Sequence, residues 1–263
     1  MKKIALIVFA LVCLVIITTQ AEPDHSNIEL RDETIYVFLP SIRYKSYHAQ
    51  YCCLVTNKSS SNYYHFEMNV ELLDKNNNVV CVLSPSGYIV LKPGETRAVH
   101  MHCLNISTEQ RSRIASYNVR WESCEEITKE IYKIQRVVDL PYQNLKVTDG
   151  QYYREYTCTI TNPFDQAILA SGIYGQIEFY DKTDGHLVYC DDYYDMSLEA
   201  RNSTAGIRPG YSVDNWLAQI HIGIIEIIGT DYDVKLHIEY QYNNSFVREF
   251  DLERIEYYIG TKN

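Results

Sequence analysis

The stretch that decides the fold is "VELLDKNNN", residues 70–78, because the chain contains a second version of it, "IEFYDKTDG", at residues 177–185. In both copies, apolar and polar residues alternate, which predicts a half-buried β-strand. The Asp-Lys pair that ends the alternation is typical of a polar turn, and Asp184-Gly185 in the second copy is a tight-hairpin signal. Each copy therefore predicts a strand, a turn and a returning strand.

Further matches accompany this one, in the same order along the chain and at a nearly constant separation. They are "VFLP" (37–40) with "VDLP" (138–141), "CLVTN" (53–57) with "CTITN" (158–162), "LKPG" (91–94) with "IRPG" (207–210), and "YNVRW" (117–121) with "YDVKL" (232–236). Matches that keep the same order and nearly the same separation indicate an internal duplication. We therefore predict a first domain over residues 35–137 and a second domain over residues 138–263.

The duplicated elements predict short antiparallel strands separated by turns. Asn57 and Asn162 each end a strand, and asparagine side chains bond nearby backbone groups and accept left-handed turns. The Pro-Gly pairs that follow suit type II turns. Helix is scarce, although Ser107 and Gln110 predict a capped helix of one or two turns. The pattern predicts an all-β fold of two tandem antiparallel immunoglobulin-like β-sandwiches.

The two motif copies, each preceded by a strand ending in Thr-Asn and followed by a Pro-Gly turn, resemble the FxLYD-type immunoglobulin-like domains of exported bacterial proteins. Val70 and Ile177 stand where that family has Phe, and Leu73 stands where it has Tyr. The resemblance covers residues 36–262. It implies small β-sandwich modules of cell-surface and secreted proteins, without chemistry of their own and with no catalytic residues.

The N-terminus predicts export. Met-Lys-Lys, an apolar run from Ile4 to Ile17 and a small residue at Ala21 predict a signal peptide over residues 1–21. The run is shorter than the about 20 residues that a membrane-spanning helix needs. No second run of that length follows. We therefore expect a secreted or cell-surface protein with no membrane span after signal removal.

Composition narrows the possible partners. A net charge of −10 excludes nucleic acid as the expected partner, because nucleic-acid-binding proteins cluster Lys and Arg. The 24 Tyr against 7 Phe suit strand faces, whose hydroxyls can stay in water. The same tyrosines also suit an aromatic surface for sugars or protein partners. The partner expected from composition is thus an unknown protein or glycan.

Sequence motifs for catalysis and cofactor binding are missing. The chain has no GxSxG elbow, no GxxxxGK[ST] phosphate loop, no GxGxxG fingerprint and no HExxH. We therefore expect no enzyme and no cofactor, and a structural or protein- or glycan-binding role. The alternative is a secreted carbohydrate-binding or carbohydrate-hydrolysing protein, because a pair of catalytic carboxylates needs no local signature. That alternative requires Trp121 or Trp216 to face outward in a groove.

Two local clusters are candidate sites. In "HMHC", His100 and His102 share one face of a predicted strand, and imidazole pairs bind zinc or copper. They are weak metal ligands without two further partners, and a metal-handling protein is a third hypothesis. The segment "YCDDYYDMSLEARNST" (189–204) is predicted as a binding loop, because it is longer than its counterpart in the first repeat. Its candidate residues are Asp191, Asp192, Tyr193, Tyr194 and Asp195.

Every cysteine except Cys13 follows the signal peptide, in a compartment that permits disulfides. Cys53 and Cys158 occupy equivalent positions, and Cys81 and Cys190 both lie on the strand after the Asp-Lys turn. The predicted disulfides are Cys53 with Cys81, Cys158 with Cys190 and, more weakly, Cys103 with Cys124, which leaves Cys52. Sequence alone does not fix this connectivity.

Overall fold

The computed structural model describes residues 23–40, 44–85, 89–128, 138–164, 168–169, 173–193, 205–240, 256–257 and 261–262. Over these residues the chain is mostly antiparallel β-sheet with two short helices, which confirms the predicted all-β fold. The predicted signal peptide lies outside them. None of the helices described is long and apolar enough to cross a membrane. We call residues 23–128 the first half and residues 138–262 the second half.

The first half contains β1 (Ile28–Phe38), β2 (Tyr47–Asn57), β3 (Tyr63–Asp74), β4 (Val79–Pro85), β5 (Ile89–Leu91), β6 (Thr96–Ile106), α1 (Thr108–Arg113) and β7 (Ile114–Ile127). The second half contains β8 (Val138–Asp139), β9 (Tyr142–Asp149), β10 (Tyr153–Thr161), β11 (Ile168–Leu169), β12 (Ile173–Asp181), β13 (Leu187–Tyr193), β14 (Ala205–Ile207), β15 (Tyr211–His221), α2 (Ile222–Ile228), β16 (Tyr232–Tyr240), β17 (Glu256–Tyr257) and β18 (Thr261–Lys262).

Strand pairing in the first half recurs in the second. β3 pairs with β4 and β7, and β12 pairs with β13 and β16 in the same antiparallel manner. Likewise β2 lies between β1 and β6, and β10 lies between β9 and β15. The stretches that open the two sequence copies, 70–74 and 177–181, thus both lie on a central strand that ends at the predicted turn. β3 alternates strictly between buried and half-buried residues, as its sequence predicts.

The buried asparagines explain why the Thr-Asn and Pro-Gly motifs occur together. Asn57 donates from Nδ2 to the Leu91 carbonyl at 3.3 Å, and Asn162 donates to the Ile207 carbonyl at 2.8 Å. Both side chains are fully buried, and the Oδ1 of each accepts the backbone N–H two residues further on. Each asparagine therefore ties the end of one strand to the residues before a Pro-Gly turn, in addition to the local bond that the sequence predicts.

The glycines of those turns need their conformational freedom. Gly94 and Gly210 have φ angles of 71° and 72°, which side-chain-bearing residues rarely adopt. The Gly94 N–H donates to the Asn57 carbonyl at 3.0 Å, and the Gly210 N–H donates to the Asn162 carbonyl at 3.1 Å. The two turns therefore have the same hydrogen-bond design.

Two local features go beyond the sequence prediction. β1 begins at Ile28, upstream of residue 35 where the predicted first domain begins, and it absorbs the charged run from Arg31 in a bulge where Asp32 has a φ of 54°. α2 begins at Ile222, in an apolar run where no helix is predicted. At the expected capped helix, Ser107 and Gln110 form a reciprocal capping box, which confirms that prediction.

The sheet formed by β1, β2 and β6 is covered on both faces. One face belongs to a core of the first half that includes Tyr51 and Phe66. The other face contributes Cys52, Leu54 and Ala98 to a second core, whose remaining members lie mostly in the second half. β2 is consequently buried along most of its length instead of alternating. The two halves share this second core.

Candidate functional site between the two halves

The face of β2 and β6 that points toward the second half brings a glutamine, a cysteine and two histidines together. Because side chains alternate along a strand, Gln50 and Cys52 lie on the same face, opposite the face of Tyr51. The antiparallel register places His102 beside Gln50 and His100 beside Cys52. The sequence candidates His100 and His102 thus lie at the boundary between the halves.

β13 covers this face, and among the described residues it is an edge strand whose outward backbone groups have no neighbouring strand. Side chains of the first half bond these groups instead. The Tyr36 hydroxyl donates to the Val188 carbonyl at 2.6 Å, and Gln50 Nε2 donates to the Cys190 carbonyl at 2.8 Å. Asp32 Oδ2 accepts the Leu187 N–H at 3.0 Å. An edge strand of the second half is therefore held in place by side chains of the first.

His100 is the charged centre of the boundary. It is 4% exposed, and its Nε2 lies 3.5 Å from Asp191 Oδ1 while its Nδ1 lies 3.6 Å from Asp192 Oδ1. Burial lowers the pKa of His100, but the carboxylates of Asp192 and Asp191 outweigh burial and raise the pKa to about 9. At neutral pH this side chain is an imidazolium between two carboxylates, which is an ion-pair arrangement.

Polar neighbours complete the network around the carboxylates. The buried Tyr189 hydroxyl lies 2.9 Å from Gln50 Oε1 and 3.0 Å from Asp191 Oδ2, so its single hydrogen is shared between two acceptors. Gln176 Nε2 donates to Asp192 Oδ1 at 3.0 Å. Burial raises the pKa of Asp191. The network fixes the side chains that would otherwise be available for binding.

The structure corrects the predicted binding loop. Asp191 and Asp192 lie on β13 and face His100, because the strand after the turn continues through Tyr193. Tyr194 and Asp195 lie outside the described residues. The two candidate clusters of the sequence, the histidine pair and the acidic segment, therefore meet each other instead of forming separate sites.

Metal binding at His100 and His102 lacks the required geometry. The two carboxylates contact opposite nitrogens of the His100 ring, so these three groups do not converge on one point. Within the described ranges, one group brings three possible ligand atoms within 4.8 Å of one another, namely Asp181, Asp184 and His186 at the β12–β13 turn. That turn is largely exposed to solvent, where acidic groups commonly lie together without an ion.

Sequence reasoning missed a second histidine cluster at the boundary. His48 and His221 have ring centroids 5.7 Å apart, and Tyr44 and Tyr153 contact His221 at 6.0 and 4.7 Å. Burial, followed by the nearby His221 and His102, lowers the pKa of His48 to about 4. Its members come from distant segments of both halves. The only sequence signal is that His48 shares the face of Gln50 and Cys52 by period two.

Among the described residues, none of the predicted disulfides is formed, because Cys53, Cys81, Cys103, Cys124 and Cys190 are not disulfide-bonded. Cys53 points into the core of the first half, and the Cys81 thiol instead contacts Cys103. Cys158 belongs to the shared core, and Cys190 contacts Cys52 across the boundary. Cys103 and Cys124 lie on the non-adjacent strands β6 and β7. Equivalent positions in a repeat did not predict which thiols are neighbours, because the two halves pack on each other.

Trp121 does not form a sugar-binding surface. It is 6% exposed, with the His25 ring stacked on it at 4.6 Å and Phe66 against its edge at 5.8 Å. The side chain of Trp216 lies outside the described part of the chain. The groove that the carbohydrate alternative requires is therefore not formed by Trp121.

Comparisons with known proteins add little to what these residues show. No family model and no curated protein matches the chain. Among solved structures, it is similar to red sea bream transglutaminase, with a TM-score of 0.21 and 9% identity over 72% of this chain and 27% of that one. It is also similar to the N-terminal CBM22-1-CBM22-2 tandem domain of Paenibacillus barcinonensis Xyn10C, with a TM-score of 0.16 and 9% identity over 89% and 91% of the chains. Scores this low leave the function to be argued from the side chains themselves.

Proposed function

We propose that this protein is an exported, non-enzymatic binding module that presents a rigid two-part β-structure to a protein partner outside the cell or at its surface. The observation that carries the proposal is the enclosure of its reactive side chains. Cys52 and His100 are buried between the halves, and Asp191 is paired with His100. These groups hold two sheets together, and a rigid support of this kind is what a surface for recognition needs.

The chemistry of the partner follows from charge and aromatic exposure. A net charge of −10 favours a partner with a basic surface, because complementary potentials steer association. Trp121 is buried, so one of the two tryptophan side chains suited to stacking on a sugar ring is occupied in the core. Both features favour a protein over a glycan as the partner.

A binding experiment tests the proposal. Labelled mature protein is added to intact cells and to extracellular fluid, crosslinked and recovered, with target samples treated beforehand by protease or by periodate. We expect capture to be lost after protease, to survive periodate and to weaken at high salt. Loss after periodate alone would instead support the carbohydrate-binding alternative.

Two further measurements address export and the absence of catalysis. N-terminal sequencing of protein secreted from expressing cells should begin at residue 22. Incubation with a panel of polysaccharides should release no reducing sugar above the level of heat-denatured protein. Release proportional to protein concentration would overturn the non-enzymatic part of the proposal.

A further inference from the structure

Cys52 and Cys190 meet across the boundary between the halves. Cys52 Sγ lies 3.3 Å from the Cys190 carbonyl oxygen and 3.3 Å from the Cys190 backbone nitrogen. Burial raises the pKa of the Cys190 thiol, and the neighbouring Cys52 side chain adds to that rise. Both residues are 0% exposed. This pair of thiols is therefore adjacent in space although the residues belong to different halves.

The surrounding hydrogen bonds hold the two backbones at a fixed separation. Gln50 bonds the Cys190 carbonyl and Tyr36 bonds the Val188 carbonyl, so β13 is attached to the first half at and near the thiol pair. A disulfide needs cysteine backbones held close together with their side chains directed toward each other. Cys53 faces the opposite side of β2 and is directed away from β13. The geometry therefore selects Cys52 as the partner of Cys190.

We propose that Cys52 and Cys190 form a disulfide that joins the two halves when the chain folds in an oxidising compartment, an inference that rests on the export in the proposed function. The oxidant is a small-molecule or protein disulfide. One cysteine thiolate attacks a sulfur of that disulfide and expels a thiolate, and the second cysteine thiolate then attacks the mixed disulfide and expels the other. The two cysteines lose two protons and two electrons, and the oxidant becomes two thiols.

Burial determines when this bond forms and how long it persists. The oxidant cannot reach thiols that are fully enclosed in the folded protein, so the exchange takes place before β13 closes over β2. After closure, the same burial keeps reductants away from the bond. The disulfide is thus a structural link and not a reversible switch.

Peptide mapping tests the proposed bond directly. The full mature chain is refolded with a mixture of reduced and oxidised glutathione, alkylated without reduction and digested with trypsin. Cleavage after Lys and Arg gives a peptide 46–58 that holds Cys52 and Cys53, and a peptide 183–201 in which Cys190 is the single cysteine. We expect these two peptides to be linked, at a mass two hydrogens below their sum.

Matched variants separate the adjacent cysteines. Cys53→Ala should keep the link to peptide 183–201, and Cys52→Ala should abolish it. Wild-type protein refolded in excess reductant should melt about 5–10 °C below protein refolded with the glutathione mixture, with a smaller difference in Cys52→Ala.

Recovery of Cys190 as an alkylated thiol from the oxidised wild-type protein, or its link to Cys53 or Cys158, would overturn the inference. The alkylated-thiol readout and the link to Cys158 do not depend on any variant folding. Free Cys190 in a protein that still captures its partner would reject the disulfide and leave the proposed function standing. Loss of capture by a protein in which the disulfide is intact would reject the proposed function and leave the disulfide standing.

Discussion

β4 and β13 follow the same Asp-Lys turn and pair with equivalent strands, but their surroundings are opposite. On β4, Val79 and Val82 are 49% and 42% exposed. On β13, Tyr189 and Cys190 are 2% and 0% exposed, because this strand packs on the first half. The same element of a repeat is therefore a partly solvated strand in one copy and the contact strand between halves in the other. Its environment, and not its motif, decides what its residues do.

Among the substitutions that test this comparison, the one at His100 is expected to have the largest effect on the free energy of unfolding. His100→Ala leaves two carboxylates together without their cation, and we expect the free energy of unfolding to fall by about 3 kcal/mol. His102→Ala, at the more exposed neighbour, is the matched control and should cost much less. Urea unfolding measures both. Equal losses would show that the ion pairs do not hold β13 to the first half.

The next-largest effect tests whether the equivalent asparagines of the two halves contribute equally to stability. Asn57→Ala and Asn162→Ala each leave buried backbone groups without their partner, so each should lower the free energy of unfolding by about 2–3 kcal/mol. Thr56→Ala and Thr161→Ala remove hydroxyl pairs beside the same turns and should cost about 1 kcal/mol or less. A loss at one asparagine and none at the other would break the equivalence of the two turns.

The pH dependence of stability should have a maximum near the ordinary histidine pKa of 6.5. Folding raises the pKa of His100 to about 9, so its stabilisation is complete below pH 6.5 and is lost as the pH rises to about 9. Folding lowers the pKa of His48 to about 4, so its penalty is absent above pH 6.5 and grows as the pH falls toward 4. Each of these two groups should contribute a slope of at most about 1.4 kcal/mol per pH unit.

Single variants assign the two limbs of this profile. His100→Gln should flatten the alkaline limb, because it removes the group whose proton Asp191 and Asp192 retain. His48→Gln should reduce the acid limb and leave the alkaline limb in place. Part of the acid limb should remain, because burial also lowers the pKa of His102 and of His221. Denaturant unfolding at a series of pH values measures both. An alkaline slope that persists in His100→Gln would assign that limb to another group.

The smallest effect compares β13 and β4 directly. Tyr36→Phe removes the hydroxyl that bonds the Val188 carbonyl of β13, and we expect a loss of about 1 kcal/mol. Val82→Ala on exposed β4 should change the free energy of unfolding by less than about 0.5 kcal/mol. If the two variants cost the same, side-chain bonds to the edge of β13 contribute nothing measurable.

Much of the fold was predictable because it depends on local patterns. Alternation predicted β3 and β12, the Asp-Lys and Pro-Gly pairs predicted turns, and Ser107 with Gln110 predicted α1. These signals act over a few residues, so a linear sequence contains them in full. α2 was missed because a run of isoleucines favours a strand locally, whereas its position beside β1 depends on Gly223. A Cβ at that residue would lie 2.1 Å from the Leu39 carbonyl oxygen.

The sequence predicted several residues of the site but not their arrangement. Sequence patterns singled out His100, His102, Asp191 and Asp192, but as a metal pair and a separate loop. Alignment of the repeats also suggested disulfides within each half, whereas Cys190 in fact contacts Cys52. Both hypotheses rest on signals within one half, and such signals say nothing of how the halves pack on one another.

By itself, the sequence determined the strand periods, the duplicated turns and the buried asparagines that stabilise them, because these rest on hydrogen bonds and side-chain alternation within each half. Only the tertiary structure decided that β13 covers the face of β2 and β6 that points toward the second half. That contact depends on shape and desolvation between residues more than a hundred positions apart, such as Cys52 and Cys190. It changes an acidic segment from an open surface into part of a buried ion-pair network.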